Sequence, residues 1–184
     1  MKVQNAEEMQ MPKIIFNVKE QLLTEAKKQV AKNGYAATTM RSVAGACGFA
    51  VGTMYNYFDS KEMLIATFVA EEWNTRLEEM ATLPADCPKT LFFGIYDTLT
   101  SFIKNNEKLF SDSDAAKILH KSFHTRHKML RDQLASFILP ICLKRELELP
   151  EYTAAFVAET IISSAVNSSD FEKIYPILER IIKK

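Results

Sequence analysis

Apolar residues along this chain recur three and four positions apart, and no stretch shows the sustained alternation of a half-buried strand, so the pattern predicts an all-helical protein. Val18, Leu22, Ala26 and Val30 form the first stripe. A helix is expected to start at Asn17, with Glu20 three residues on completing a capping box. It should end at Asn33-Gly34, where glycine supplies a positive φ and Tyr35 folds back over the last turn. Met40, Val43, Ala44 and Cys47 mark a second, short helix that follows Thr39 and stops at Gly48. A third is expected from about Val51 to Phe58. Asp59 or Ser60 then caps a fourth, whose predicted seam is Met63, Ala66, Ala70, Trp73, Leu77 and Met80, ending before Pro84 and Pro88.

Further helices are predicted at roughly 88–105, 112–123, 125–147, 151–168 and 170–183, separated by polar stretches such as Asn105-Asn106-Glu107 and Ser111-Asp112-Ser113-Asp114. Pro140 and Pro176 fall within periodic segments and should kink a helix or shift its start.

Composition narrows the class. The 184 residues are 47% hydrophobic and 25% charged, in the globular range. Lys plus Arg and Asp plus Glu both total 23, which excludes a polycationic coat for nucleic acid or membrane. Cys47, Cys87 and Cys142 are too few and too widely spaced for a disulfide framework or a metal ribbon, and they fit a reducing cytoplasm. Residues 1–16 carry Glu7 and Glu8 and lack the apolar core of a signal peptide. The longest apolar run, Leu134 to Leu143, is interrupted by Ser136 and Pro140 and falls far short of the roughly 20 residues of a membrane span. The expectation is a cytoplasmic protein with no membrane partner.

The chemistry concentrates between residues 39 and 58. Two short helices joined by Gly48-Phe49-Ala50 have the length and turn of a helix-turn-helix. Met40, Val43, Ala44, Phe49, Met54 and Phe58 would form its small core, leaving Val51, Thr53, Tyr55, Asn56 and Tyr57 outside. Hydroxyls and amides on such a face suit phosphate oxygens and base edges, and Gly52 admits close approach of the backbone to a duplex.

The run Asn33-Gly34-Tyr35, then Thr38 to Ala44, then Gly48 to Phe58, then Ser60-Lys61-Glu62 resembles the DNA-binding domain of TetR-family transcriptional regulators over about 50 residues. The resemblance implies an N-terminal three-helix, homeodomain-like unit (13–60). A connecting helix would join it to a C-terminal helical bundle for ligand binding and dimerisation (61–184). It also implies a DNA-binding set of Thr39, Arg41, Val51, Gly52, Thr53, Tyr55, Asn56, Tyr57 and Lys61. Thr39 would cap the first motif helix and touch the operator backbone, and Val51, Gly52 and Thr53 would open the recognition helix. Asn56 would face the groove, while Tyr55, Tyr57 and Lys61 would hold phosphates. The chain departs from the family at Ala50, where Ser or Thr is usual, and at Ser42, where an acidic residue is common. From Lys13 to Lys61 there are seven basic residues against three acidic, so the expected DNA end is the positive one.

Between Tyr152 and Ser169 the only charged residue is Glu159, and a helix apolar all round must be buried on every side. A second copy of the chain is the expected cover. Phe156, Thr160, Ser163, Ile174 and Leu178, on the last two helices, are the candidate interface of a homodimer. Phe92, Tyr96, Leu99, Ile103 and Phe123 are candidates for lining the pocket of a small, apolar effector, although such a stripe equally suits plain core. His120, His124 and His127 share a helical face at metal-binding spacing, but Lys121, Arg126 and Lys128 beside them oppose a cation, so no metal and no cofactor are expected. Neither a nucleophile–base pair nor a phosphate-binding loop is evident, so the chain is not expected to be an enzyme. The expected function is sequence-specific binding to a near-palindromic double-stranded operator by a ligand-responsive repressor. A helical metal-binding or protein-interaction module is the alternative.

Overall fold

A computed structural model describes residues 17–115 and 123–183, with side chains in the second stretch from residue 126 onward. Every regular element among the described residues is an α-helix. In chain order they are α1 (Val18–Asn33), α2 (Met40–Ala46), α3 (Val51–Tyr55), α4 (Lys61–Ala81), α5 (Pro88–Asn105), α6 (Glu107–Phe110), α7 (Phe123–Lys144), α8 (Pro150–Val166) and α9 (Phe171–Ile182). The helical start of the segment predicted at 112–123 is seen at 113–115, and the rest up to residue 122 lies outside the described residues. The short α6 occupies part of what the sequence marks as a polar separator.

Two apolar cores organise these helices. The head core gathers Leu22, Ala26 and Val30 of α1, Val43 and Ala44 of α2, Met54 of α3, Phe58, and Leu64, Ile65 and Phe68 of α4. The predicted α1 stripe is therefore the buried one. The body core joins Leu91, Phe92, Ile95 and Leu99 of α5 to Leu134 and Ile138 of α7, Val157 and Ile161 of α8, and Leu178 of α9. Helix α4 connects them. Its Trp73 meets Phe102 edge-on at a centroid distance of 5.3 Å and donates its indole N–H to Gln133 at 2.9 Å.

Two local expectations are corrected. Asn17 does not cap α1: it sits at φ 60°, ψ 38°, and its side chain accepts no backbone N–H, because a capping side chain needs the extended conformation. The seam predicted on α4 is displaced at its start. Met63 is 49% exposed and Ala66 and Ala70 face solvent, while Leu64, Ile65 and Phe68 are buried against the head. Packing against α1 selects that face, and only Trp73 and Met80 of the expected seam join the body core. Pro140 and Pro176 fall inside α7 and α9 with exposed side chains, so neither shifts a helix start.

The segment after α5 returns to the head. Leu109 and Ala115 are buried in its core. Lys108 Nζ donates to the Lys32 carbonyl at 2.9 Å, capping the end of α1. The Asp112 carboxylate is held below its ordinary pKa by backbone N–H groups of Ala115, Asp114 and Ala36, and the last of these belongs to the loop between α1 and α2. The head is therefore completed by residues more than 70 positions downstream of α1.

Candidate nucleic-acid interface

The turn between α2 and α3 is set by local chemistry. Thr39, in extended conformation, accepts the Ser42 backbone N–H at 3.0 Å through its hydroxyl, and the Ser42 hydroxyl accepts the Thr39 N–H at 3.0 Å, closing a capping box. Ser42 thus fills the place where an acidic residue is common. Its hydroxyl also donates to Gln29 Oε1 at 2.7 Å, and Gln29 Nε2 donates to the Ser42 carbonyl at 3.2 Å, so α2 is clamped onto α1. Gly48 ends the helical turn at φ 74°. A Cβ there would meet nothing, so the cost of any substitution is conformational. Gly48→Ala is expected to destabilise the chain by about 1 kcal/mol, read as a lower urea midpoint at unchanged m-value.

Helix α3 starts at Ala50 without a side-chain cap and is shorter than predicted, ending at Tyr55. Beyond it the backbone tightens: Asn56 N–H reaches the Thr53 carbonyl at 3.2 Å and Tyr57 N–H the Met54 carbonyl at 3.1 Å. Asn56 is the C-cap of α3, still in helical backbone conformation, and Tyr57 lies in the turn that swings Phe58 back into the head core. Met54 and Phe58 are buried as expected, and Phe49 is only half-buried. On the opposite side Tyr55 is 52% and Tyr57 46% exposed, Gly52 and Asn56 are exposed, and Val51 and Thr53 are half-buried.

Charge on this end is distributed unevenly. Lys27 pairs with Glu72 at 2.8 Å, Lys28 with Glu25 at 3.4 Å and Lys19 with Glu71 at 3.8 Å, so three head lysines already face carboxylates. Arg41 is exposed and forms no ion pair with a described residue. Lys61, expected at a phosphate, instead donates to the Tyr35 carbonyl at 2.7 Å with its Nζ 3.7 Å from the Tyr35 ring centroid. Burial lowers its pKa. Tyr35 in turn donates to Glu62 at 3.1 Å, and burial with that carboxylate pushes its hydroxyl up to about 12. Lys61 thus ties the start of α4 to the end of α1.

The other candidate residues lie in the body. Leu178 is fully buried in the chain's own core, which removes it from the expected interface. Ile174 and Thr160 are half-buried, and Phe156 and Ser163 are exposed. Sequence reasoning missed Tyr152 (76% exposed), Val166 (61%) and Ile177 (58%), although Tyr152, Phe156, Ser163 and Val166 fall at helical spacing on one side of α8. Within the single chain α8 is therefore not buried all round: Ala154, Val157, Ala158, Ile161, Ile162 and Ala165 face the core, while Tyr152, Phe156 and Val166 face outward.

Of the pocket candidates, Phe92 and Leu99 are tightly buried in the body core, Tyr96 donates its hydroxyl to the Ser169 carbonyl at 2.6 Å, and Ile103 packs at the core edge. The Phe123 side chain lies outside the described residues, as do His120 and the His124 side chain. His127 Nε2 stands 2.9 Å from Glu159 Oε2, bridging α7 to α8, and the described residues hold no metal-binding cluster. Cys47 and Cys142 have thiol pKa values raised by burial. The exposed Cys87 has its own lowered by the Thr90 hydroxyl, which donates to its sulfur at 3.0 Å.

No described helix is long and apolar enough to cross a membrane. Residues 22–67 match the family model of bacterial regulatory proteins of the tetR family. An uncharacterized HTH-type transcriptional regulator, YerO, of Bacillus subtilis (strain 168) is 40% identical over 47 residues, which amount to 26% of this chain and 16% of that protein. The fold resembles a TetR/AcrR-family transcriptional regulator from Thermobifida fusca YX-ER1, with a TM-score of 0.58 at 19% identity, covering 89% of this chain and 93% of that one. It also resembles a TetR-family protein from Vibrio parahaemolyticus, with a TM-score of 0.54 at 18% identity over 89% and 96% of the two chains. The helix-turn-helix segment at residues 22–67 is thus similar to that of bacterial regulatory proteins of the tetR family, and it is set in an all-helical fold like that of solved TetR-family regulators.

Proposed function

We propose that this protein is a cytoplasmic, ligand-responsive transcriptional repressor that binds a near-palindromic DNA operator as a homodimer. The observation that carries DNA binding is the two-sidedness of the segment 51–58: Met54 and Phe58 hold it to the head, while Tyr55, Asn56 and Tyr57 stand in solvent beside the exposed backbone of Gly52. Two such segments, related by a two-fold axis, would enter successive major grooves about 34 Å apart. The exposed apolar side of α8, continued by Ile177 of α9, supports the dimer. Effector response would act through the body, whose contacts with the head at Lys108 and Asp112 give a bound ligand a path to the α1–α2 loop.

Gel shifts on the DNA flanking its own gene test this reading, with specific, salt-sensitive retardation as the expected result. Tyr55→Phe should weaken every sequence alike, by about fivefold for one lost phosphate hydrogen bond. Thr53→Ala should instead relax preference at one operator position, by about 1–3 kcal/mol. Unchanged affinity in both variants would remove α3 from the interface.

A further inference from the structure

A cleft of about 160 Å³ opens where the head meets the body, walled by α1, by Phe68 of α4 and by the residues from the end of α5 through α6. Three lysines line it: Lys27 from the head, and Lys104 and Lys108 from the body. Glu107 is the single carboxylate among its lining residues. Lys27 is matched by the Glu72 carboxylate at 2.8 Å, and Lys108 rests on the Lys32 carbonyl at 2.9 Å. Lys104 has no ion pair or side-chain hydrogen bond with a described residue. The floor is apolar, with Phe68 4% and Leu109 2% exposed.

We propose that this cleft binds a compact anion bearing carboxylate or phosphate oxygens, held by Lys104 and Lys108 from the body and Lys27 from the head. Three lysines against the carboxylates of Glu107 and Glu72 leave a formal excess of one positive charge beside an apolar floor, where weaker solvent screening lets an anion gain more than at an isolated surface lysine. The volume lies below the roughly 300–1,000 Å³ of pockets for drug-sized ligands, which limits the occupant to a small, compact anion. Lysine ammonium groups act as flexible point charges and accept either oxyanion without demanding planar, two-point geometry. The site is separate from the Phe92–Ile103 stripe on α5. Because its cations come from both head and body, an occupant would be sensitive to how the two sit, and its binding would be linked reciprocally to that of DNA. This last step alone rests on the proposed function.

The test is a titration of the full chain with succinate and, separately, inorganic phosphate at constant ionic strength, followed by backbone amide NMR shifts. Saturable shifts confined to residues 27–31, around Phe68 and at 104–109 are expected, and comparison of the two anions tells carboxylate from phosphate recognition. Lys104→Met and Lys108→Met should each weaken binding by about tenfold. Lys173→Met, on α9 and away from the lining, should leave it unchanged. Non-saturating shifts, shifts spread over lysines elsewhere, or equal affinity in Lys104→Met would overturn the site. Operator gel shifts with and without the anion test the linkage separately. Occupancy with unaltered DNA affinity would reject the coupling, and absence of any operator binding would reject the proposed function while the NMR result still decides the site.

Discussion

Replacing Phe92 with alanine is expected to destabilise the chain by about 3–5 kcal/mol, the range for removing a fully buried aromatic ring. Phe92 has no exposed surface, and its ring meets Tyr175 of α9 edge-on at a centroid distance of 6.4 Å. It shares a core with Leu134, Ile138 and Ile161 from two other helices, so three elements would border the void left behind. Urea unfolding measures the loss directly. The variant also separates two roles for the α5 stripe. A ring packed as core costs stability when removed, whereas one lining an open ligand pocket would cost under about 1 kcal/mol and would return Phe92 to the effector-binding set.

Phe156→Glu is expected to convert the proposed dimer to a monomer. In an isologous interface each substitution appears twice, so two carboxylates would be driven against an apolar face formed by Tyr152, Val166 and Ile177. Burying an unpaired charge is costly enough that the dimer dissociation constant should rise at least about 100-fold, near 2.7 kcal/mol. Phe156 is 57% exposed within its own chain, so the fold of the monomer should survive, with unchanged helical circular dichroism. Light scattering reads the change in mass, and operator retardation should fall with it because two linked heads bind more tightly than one. An assembly of unaltered mass would move the interface away from α8.

The features legible in the sequence are those decided within a few residues. Thr39 caps α2 because its hydroxyl reaches an N–H three positions on, and Gly48 turns the chain because it alone accepts φ 74° cheaply. The stripe from Val18 to Val30 is buried because one helical face carries it. Ser42 shows how local chemistry survives a departure from the usual residue: its hydroxyl closes the capping box that a longer acidic side chain would otherwise close. Asn17 shows the limit even of local reading, since the right residue type stands in the wrong backbone conformation to cap.

What lies between elements was not legible. Leu178 and Ile177 are adjacent and similarly apolar, yet one is fully buried and the other 58% exposed, and only the seating of α9 against the body distinguishes them. Met63 and Leu64 differ in the same way on α4. Lys61 carries a charge that reads as a phosphate contact, and the approach of Tyr35 turns it inward. The sequence by itself determined the helices, the turn between α2 and α3 and the residue types on the exposed side of α3, because capping, glycine geometry and periodicity act over short separations. Tertiary structure alone decided which face of α4, α8 and α9 is buried. It also decided that Leu109 and Ala115 complete a head begun at Val18, because those outcomes depend on apolar surfaces that meet only once distant segments have folded together.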